Sequence, residues 1–283
     1  MVLISQRETV RQNRNIARVV SVLCRETPVD SLAALRSSLR ESGSLPSPEH
    51  GSGELLALGL DANVLLKLGK MSRAEDVADY LGVKHRGPVI VPAQAIQEFW
   101  KNHLSLIRGT AESVKLKFDE LARIVDGIDP VYASTLGAAS IRLMGEFRSA
   151  HGDIMDGSAL RRASALMDAL SGSAIVPDIP RQLLFDIAEQ RKKTKTPPGF
   201  KDEGHGDFFV WAEFLHGLLL ARSGGRAFNR AIFVTDDVKK DWSTKGKPHP
   251  VLVAEVQALT SVPFETWTVG QFHSFVVREL DEI

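Results

Sequence analysis

Acidic residues stand at the ends of apolar runs in this chain. Asp61 follows LLALGL (55–60), and Asp236–Asp237 follow RAIFVT, which ends at Thr235. Glu98 lies about two turns into AQAIQEFWKNHL, and Asp207 opens DFFVWAEFLHGLLLAR. Carboxylates brought together raise one another's pKa values unless a cation compensates. Oxygen-only groups of this kind suit Mg²⁺ or Mn²⁺, whereas zinc calls for His or Cys. Each acid also has a structural reading. Asp61 before Ala62-Asn63 can cap a helix, Glu98 can be an ordinary helix-surface residue, and Asp207 can serve a helix N-terminus. Two adjacent acids at a strand end fit a structural role less well.

These residues need a scaffold that gathers them. LLALGL and PVIVP (88–92) read as short buried strands, each followed by a helical pattern, and RAIFVT reads as a third. Residues 93 to 190 read as almost wholly helical, with Leu104, Ile107, Leu116, Leu121 and Ile124 on one stripe. RKKTKTPPGFKDEGHGD reads as a polar loop. FETWTV reads as a last strand, with a final helix to about Leu280. Strands alternating with helices predict an α/β class with a mostly parallel sheet, whose ligands bind beyond the strands' carboxyl ends. Residues 1–41 read as an N-terminal helical extension and 42–53 as a Gly/Ser/Pro linker. Residues 54–283 read as the main domain, with about 101–190 as a helical insertion.

Arg191, Lys192, Lys193, Lys195 and Lys201 crowd the loop leading to Asp207, where they can neutralise phosphates or form a solvated charge run. Lys239, two residues from Asp237, can reach a phosphate or balance the acids. Trp211 and Trp242 can stack on bases, but core packing is the simpler reading. His85, His103, His205 and His216 show no metal-ligand spacing, and Cys24 has no catalytic partner in view. Lys plus Arg equals Asp plus Glu at 35 each, which excludes a globally basic coat protein but not a local basic groove. One cysteine excludes an internal disulfide and a Cys-ligated cluster. The N-terminus lacks a signal-peptide core and no run approaches a membrane span, so a cytoplasmic location is expected.

Four segments taken together resemble the PIN-like nuclease domain: Asp61-Ala-Asn-Val-Leu-Leu; Val-Pro-Ala-Gln-Ala-Ile-Gln-Glu98-Phe; Pro197-Pro198-Gly199-Phe-Lys-Asp202 with Gly206-Asp207 and Trp211; and Phe-Val-Thr235-Asp236-Asp237-Val-Lys239-Lys-Asp241-Trp242. The resemblance is closest to a bacterial PIN-like subfamily with a long helical insertion and a PPG(Y/F)xD loop. It runs from about residue 54 to the end. It implies a three-layer domain and metal-dependent cleavage of phosphodiesters, usually in RNA, by a toxin or defence effector. Asp61, Glu98, Asp207 and Asp236 or Asp237 match its acids; the Thr-x-Asp pattern favours Asp237. Asp202 and Asp241 are candidate outer ligands. Thr235 and Asn63 are candidates to hydrogen-bond a ligating carboxylate. One or two Mg²⁺ or Mn²⁺ ions are implied, with structured RNA or tRNA as the partner. Products would carry 3′-hydroxyl and 5′-phosphate ends.

Two other readings stand beside this one. The first is a catalytically inactive RNA- or protein-binding module on the same fold. The second is a metal-dependent phosphatase, although position 63 is Asn where an aspartyl-phosphate enzyme needs Asp-x-Asp. The N-terminal helices carry an apolar stripe that can pack on the main domain, mediate self-association or bind an inhibitor protein.

Overall fold

The computed structural model describes residues 6–40, 54–71, 73–102, 110–127, 130–150, 158–237, 239–244 and 246–281. The expected linker, 42–53, and His103 lie outside them. In chain order the elements begin with helices α1 (Gln6–Leu23) and α2 (Ser31–Arg40), then strand β1 (Leu56–Leu60) and helices α3 (Ala62–Lys70) and α4 (Ala74–Asp79). A π-helical turn, Tyr80–Lys84, prolongs α4, and strand β2 (Val89–Ile90) follows. Helices α5 (Ala93–Asn102), α6 (Thr110–Asp126), α7 (Pro130–Ala150), α8 (Ser158–Ser171), α9 (Gln182–Lys193) and α10 (Gly206–Ser223) come next. The chain ends with β3 (Arg230–Val234), the short β4 (Ser243–Thr244) and β5 (Lys247–Pro248), α11 (Pro250–Thr260), β6 (Phe264–Trp267) and α12 (Val269–Asp281).

Among the described residues the central sheet has the order β2-β1-β3-β6, and all its pairings are parallel. This is the expected α/β architecture. Strand β1 shows how the sequence builds the three layers. Leu56, Leu58 and Leu60 point to one face, where they join Val64, Leu65 and Leu68 of α3 and Phe272 and Val276 of α12. Ala57 points to the other face, toward α10, α11 and the residues Val19, Val22 and Leu23 of α1. Side chains alternate with period two along a strand, so large and small residues segregate to opposite faces. Gly59 completes the small face: a Cβ there would lie 2.5 Å from the Phe214 ring and 2.7 Å from Phe233.

Helix α10 lies against that small face and is apolar around nearly its whole circumference, as a helix buried on all sides must be. Its Gly217 admits Ile90, whose Cγ2 would stand 2.4 Å from an added Cβ. The stripe of α1 is buried against α10, and Arg11 and Asn15 bond to the carbonyl and hydroxyl of Ser223 at 2.7 and 3.0 Å. The N-terminal helices therefore pack on the main body, with α2 against α11.

The long helical stretch is more interrupted than its sequence pattern predicts. Ile175 forms a parallel bridge with Ile90, and its amide donates to the Val89 carbonyl at 2.8 Å, so a short extended piece lines the sheet edge between α8 and α9. Helices α6 and α7 pack on each other, whereas α8 packs on α3 and α4. The loop expected from residue 191 starts later, because α9 continues through Lys193. The KGKPHP segment contributes β5, which pairs antiparallel with β4.

Candidate active site

The carboxyl ends of β1 and β3 lie side by side in register, Leu60 opposite Val234, which brings Asp61 next to Thr235. Asp61 is the N-cap of α3: its Oδ1 accepts the Ala62 N–H at 2.7 Å. Its Oδ2 accepts the Thr235 hydroxyl at 2.7 Å. The same hydroxyl accepts the Asp237 N–H at 3.0 Å, so one threonine ties the first acid to the last. Burial raises the pKa of Asp61 to about 6 against those two hydrogen bonds, and Glu98 and Asp237 nearby add to the rise.

Glu98 projects from α5 toward the start of α10. An added Cβ on Gly206 would lie 2.5 Å from Glu98 Oε1, so only glycine allows this approach. Gln94, one turn earlier on the same helix, donates to Glu98 Oε1 at 2.8 Å. Gln94 is itself held by Arg181, which donates to its Oε1 at 2.9 Å.

Asp207, in the first turn of α10, accepts the Trp242 indole N–H at 3.0 Å. Trp242 is buried, stacked on Phe233 at 5.1 Å between ring centroids. Burial, and next its hydrogen bond with Asp202, raise Asp207 to about 7. Asp202 moves the other way: against burial, the Asp207 hydrogen bond and Lys239 lower its pKa. The Lys239 ammonium stands 2.8 and 2.9 Å from the two oxygens of Asp202, 3.2 Å from Asp207 and 2.9 Å from Asp237. These carboxylates raise the lysine's pKa despite its burial.

Asp61, Glu98, Asp202, Asp207 and Asp237 thus form one continuous acidic edge with Lys239 inside it. Asp236 turns away from it. Its Oδ1 accepts the Val269 N–H at the start of α12 at 2.8 Å, and its Oδ2 pairs with Lys67 at 2.6 Å. Asn63 accepts the Asp236 N–H at 3.3 Å instead of bonding the Asp61 carboxylate. Asp241 is fully buried beneath the edge, and its Oδ2 accepts the Gly199 N–H at 3.0 Å, so it holds the Pro197-Pro198-Gly199 loop. That loop requires glycine at 199, where φ is +81° and the backbone runs against Asp207.

The expected basic groove divides. Arg191 is only 4% exposed. Its guanidinium bonds both oxygens of Glu255, at 2.7 and 3.3 Å, and the Pro197 carbonyl, so it braces the loop and is not a phosphate contact. Trp211 completes this buried group by donating to Glu255 at 2.7 Å. Lys192 is half-buried and donates to the Glu203 carbonyl at 2.7 Å. Lys193, Lys195, Lys201 and Lys240 are exposed. His205 pairs with Glu189 at 2.8 Å.

The roles of Gln94, Arg181 and Trp242 were not expected from sequence. Each had a signal. Gln94 precedes Glu98 by one helical turn, and a buried indole N–H must find an acceptor.

The donor set fits a hard divalent cation in kind, being carboxylate oxygen throughout. It is not a ready-made cage. Among the described residues no group of three or more His, Cys, Asp or Glu side chains stands so as to hold one ion. On the Asp202–Asp207 side the Lys239 ammonium lies among the carboxylates. Among the described residues no helix is long and apolar enough to cross a membrane.

Residues 145–252 match the model of a PIN like domain. The match includes Asp202, Asp207, Thr235, Asp237 and Lys239, while Asp61 and Glu98 precede it. No curated protein and no solved structure matches the chain.

Proposed function

On the premise that this chain carries a PIN-like domain, a nuclease-type fold, we propose that it is a divalent-cation-dependent phosphodiesterase that cuts RNA. The observation that supports this most is the gathering of Asp61, Glu98, Asp207 and Asp237, from four separate segments, at the carboxyl edge of one parallel sheet. Acids crowded like this destabilise a fold unless a cation or a reaction makes use of them.

Asp61, Glu98, Asp207 and Asp237 would hold a Mg²⁺ or Mn²⁺ ion on drawing closer around it, with Lys239 giving up its contacts to Asp207 and Asp237. Such an ion, when bound, makes a water nucleophilic near neutral pH and stabilises the leaving oxygen. The chain's own residues orient this chemistry. Thr235 fixes the Asp61 carboxylate and the Asp237 backbone together. Gln94 aims Glu98, and Trp242 aims Asp207. The exposed Lys193, Lys195, Lys201 and Lys240 lie along the segments that flank the edge, where they can bind phosphates of a strand. A role as a toxin or defence effector belongs to this same reading.

A second reading, the inactive binding module, is favoured by Lys239, which already neutralises part of the acidic edge. Cleavage decides between them. End-labelled structured RNA, tRNA and single-stranded DNA are incubated with the parent and with Asp61→Asn and Asp237→Asn in Mn²⁺. Loss of cutting by 100-fold or more in both variants is expected. Undiminished cutting in the variants, or none by the parent, overturns the proposal. Turnover of a small phosphoester without nucleic-acid cleavage points to a phosphatase.

A further inference from the structure

Helix α1 buries Asn15, Val19, Val22 and Leu23 against the body. The flank beside that stripe carries Arg11, Arg14 and Arg18, spaced three and four residues apart and all exposed. From Arg11 to Arg18 the helix rises about 10 Å. Arg222, near the end of α10, joins them. Partial burial first, and the Arg18 charge next, hold its guanidinium below its ordinary pKa. Among the described residues none of these four arginines pairs with a carboxylate. Arg11 and Arg18 donate to the Ser223 and Leu259 carbonyls at 2.7 and 3.3 Å, and Arg222 lies over the Phe228 ring at 5.0 Å. Arg14 has no hydrogen-bond partner among the described residues. Between Arg14 and Arg18 opens a cavity of about 280 Å³ bordered by Ser21, Thr27 and Leu259. The Ser21 and Thr27 hydroxyls bond each other at 2.7 Å, which leaves one hydroxyl proton to donate elsewhere.

Like charges held side by side with no acid between them repel, and an anion laid across them removes that cost. A guanidinium has five donors and no acceptor, and its fork matches a phosphate. The flank also has a direction. Helix α1 runs along α10 from Ser223, where Arg11 binds, toward the loop before Asp207. At that end the Leu23 carbonyl stands 3.5 Å from Arg191, whose guanidinium also bonds the Pro197 carbonyl. We propose that Arg11, Arg14, Arg18 and Arg222 bind the sugar–phosphate backbone of an RNA strand outside the cut site, on a path that leads toward the acidic edge. Such contacts hold a strand without reading its sequence. RNA is named on the strength of the proposed function; the arginines themselves call for a polyanion. Arg11, Arg14 and Arg18 precede residues 145–252, so this surface belongs largely to the N-terminal extension and not to the matched PIN-like segment.

The test uses the full chain in EDTA, where metal-dependent cutting cannot interfere, and a labelled single-stranded RNA of about 30 nucleotides. Binding is followed by fluorescence anisotropy across a salt series. Each phosphate contact to a single strand adds about 0.7 to the slope of log K against log salt, hence about fivefold in affinity at about 0.1 M salt relative to 1 M. A variant combining Arg14→Gln, Arg18→Gln and Arg222→Gln should lose about 2 from the slope and roughly 100-fold in affinity. The same three positions changed to Lys keep the charge and should keep the parent's slope. An unchanged slope in the glutamine variant, or no RNA binding by the parent, overturns the inference and leaves the nuclease reading to its own cleavage test. Loss of binding in the glutamine variant supports the inference even where the parent cuts nothing in Mn²⁺. Polyglutamate that displaces the RNA at equal charge concentration makes an acidic protein the occupant and overturns RNA. If the combined variant does not fold, the three single glutamine variants decide, each with an expected loss of about fivefold.

Discussion

Replacing Asp61 with Asn should stabilise the metal-free protein and, on the proposed function, end RNA cleavage. The folded-state pKa of Asp61 is raised from 3.8 to about 6, with burial as the largest cause. A raised acid contributes stability that is fully present below 3.8 and is lost as pH rises through about 6. About two units at 1.36 kcal/mol each amount to roughly 3 kcal/mol lost by pH 8. Asn removes that charge. Its amide has one oxygen where the carboxylate has two, so one of the bonds from Ala62 and Thr235 loses its acceptor, at about 1 kcal/mol. The net expectation is a gain of about 2 kcal/mol in EDTA at pH 8. At pH 4 the gain should shrink to near zero or reverse. Urea unfolding of parent and variant at both pH values checks this. A variant less stable than the parent at pH 8, or a difference that does not change with pH, would mean that burial does not raise the Asp61 carboxyl in this way.

Asp236→Ala should lower stability by about 1 kcal/mol, as loss of a helix cap does, and leave cleavage within about twofold of the parent; thermal unfolding and the cleavage rate check both. Gly206→Ala should preserve the fold, because its new Cβ meets the end of a flexible side chain, yet push Glu98 away from Gln94 and weaken Mn²⁺ binding roughly 10- to 100-fold by calorimetry. Glu255→Gln should cost roughly 3–5 kcal/mol in chemical unfolding, because it leaves the buried Arg191 guanidinium uncompensated; a loss below 1 kcal/mol would contradict its bracing role.

Local pattern reveals the strands well because their composition has few alternatives. LALGL, with leucines on one face and Ala57 and Gly59 on the other, is short and wholly apolar, as a strand buried on both sides is. The acids at the strand ends follow from the parallel sheet. What local pattern misses is set by distant partners. Arg191 reads as part of a basic run, but it shares the spacing of Leu184, Ile187 and Ala188 on the buried stripe of α9 and meets Glu255 from α11. Asp236 and Asp237 are indistinguishable by type. They part because the start of α12 takes the first and the Thr235 turn takes the second. The extended piece at Ile175 is invisible in sequence because a single bridge to Ile90 creates it. Lys239 can be read as balancing the acids, but its three partners emerge only when the Asp202 loop folds over the end of β3.

Whether these carboxylates act through a divalent ion is read from the ends of RNA incubated with the protein in Mn²⁺ and in EDTA. Fragments bearing 5′-phosphate and 3′-hydroxyl ends are expected in Mn²⁺, and intact RNA in EDTA. Equal cutting in EDTA, or intact RNA in both, would contradict a divalent-ion role.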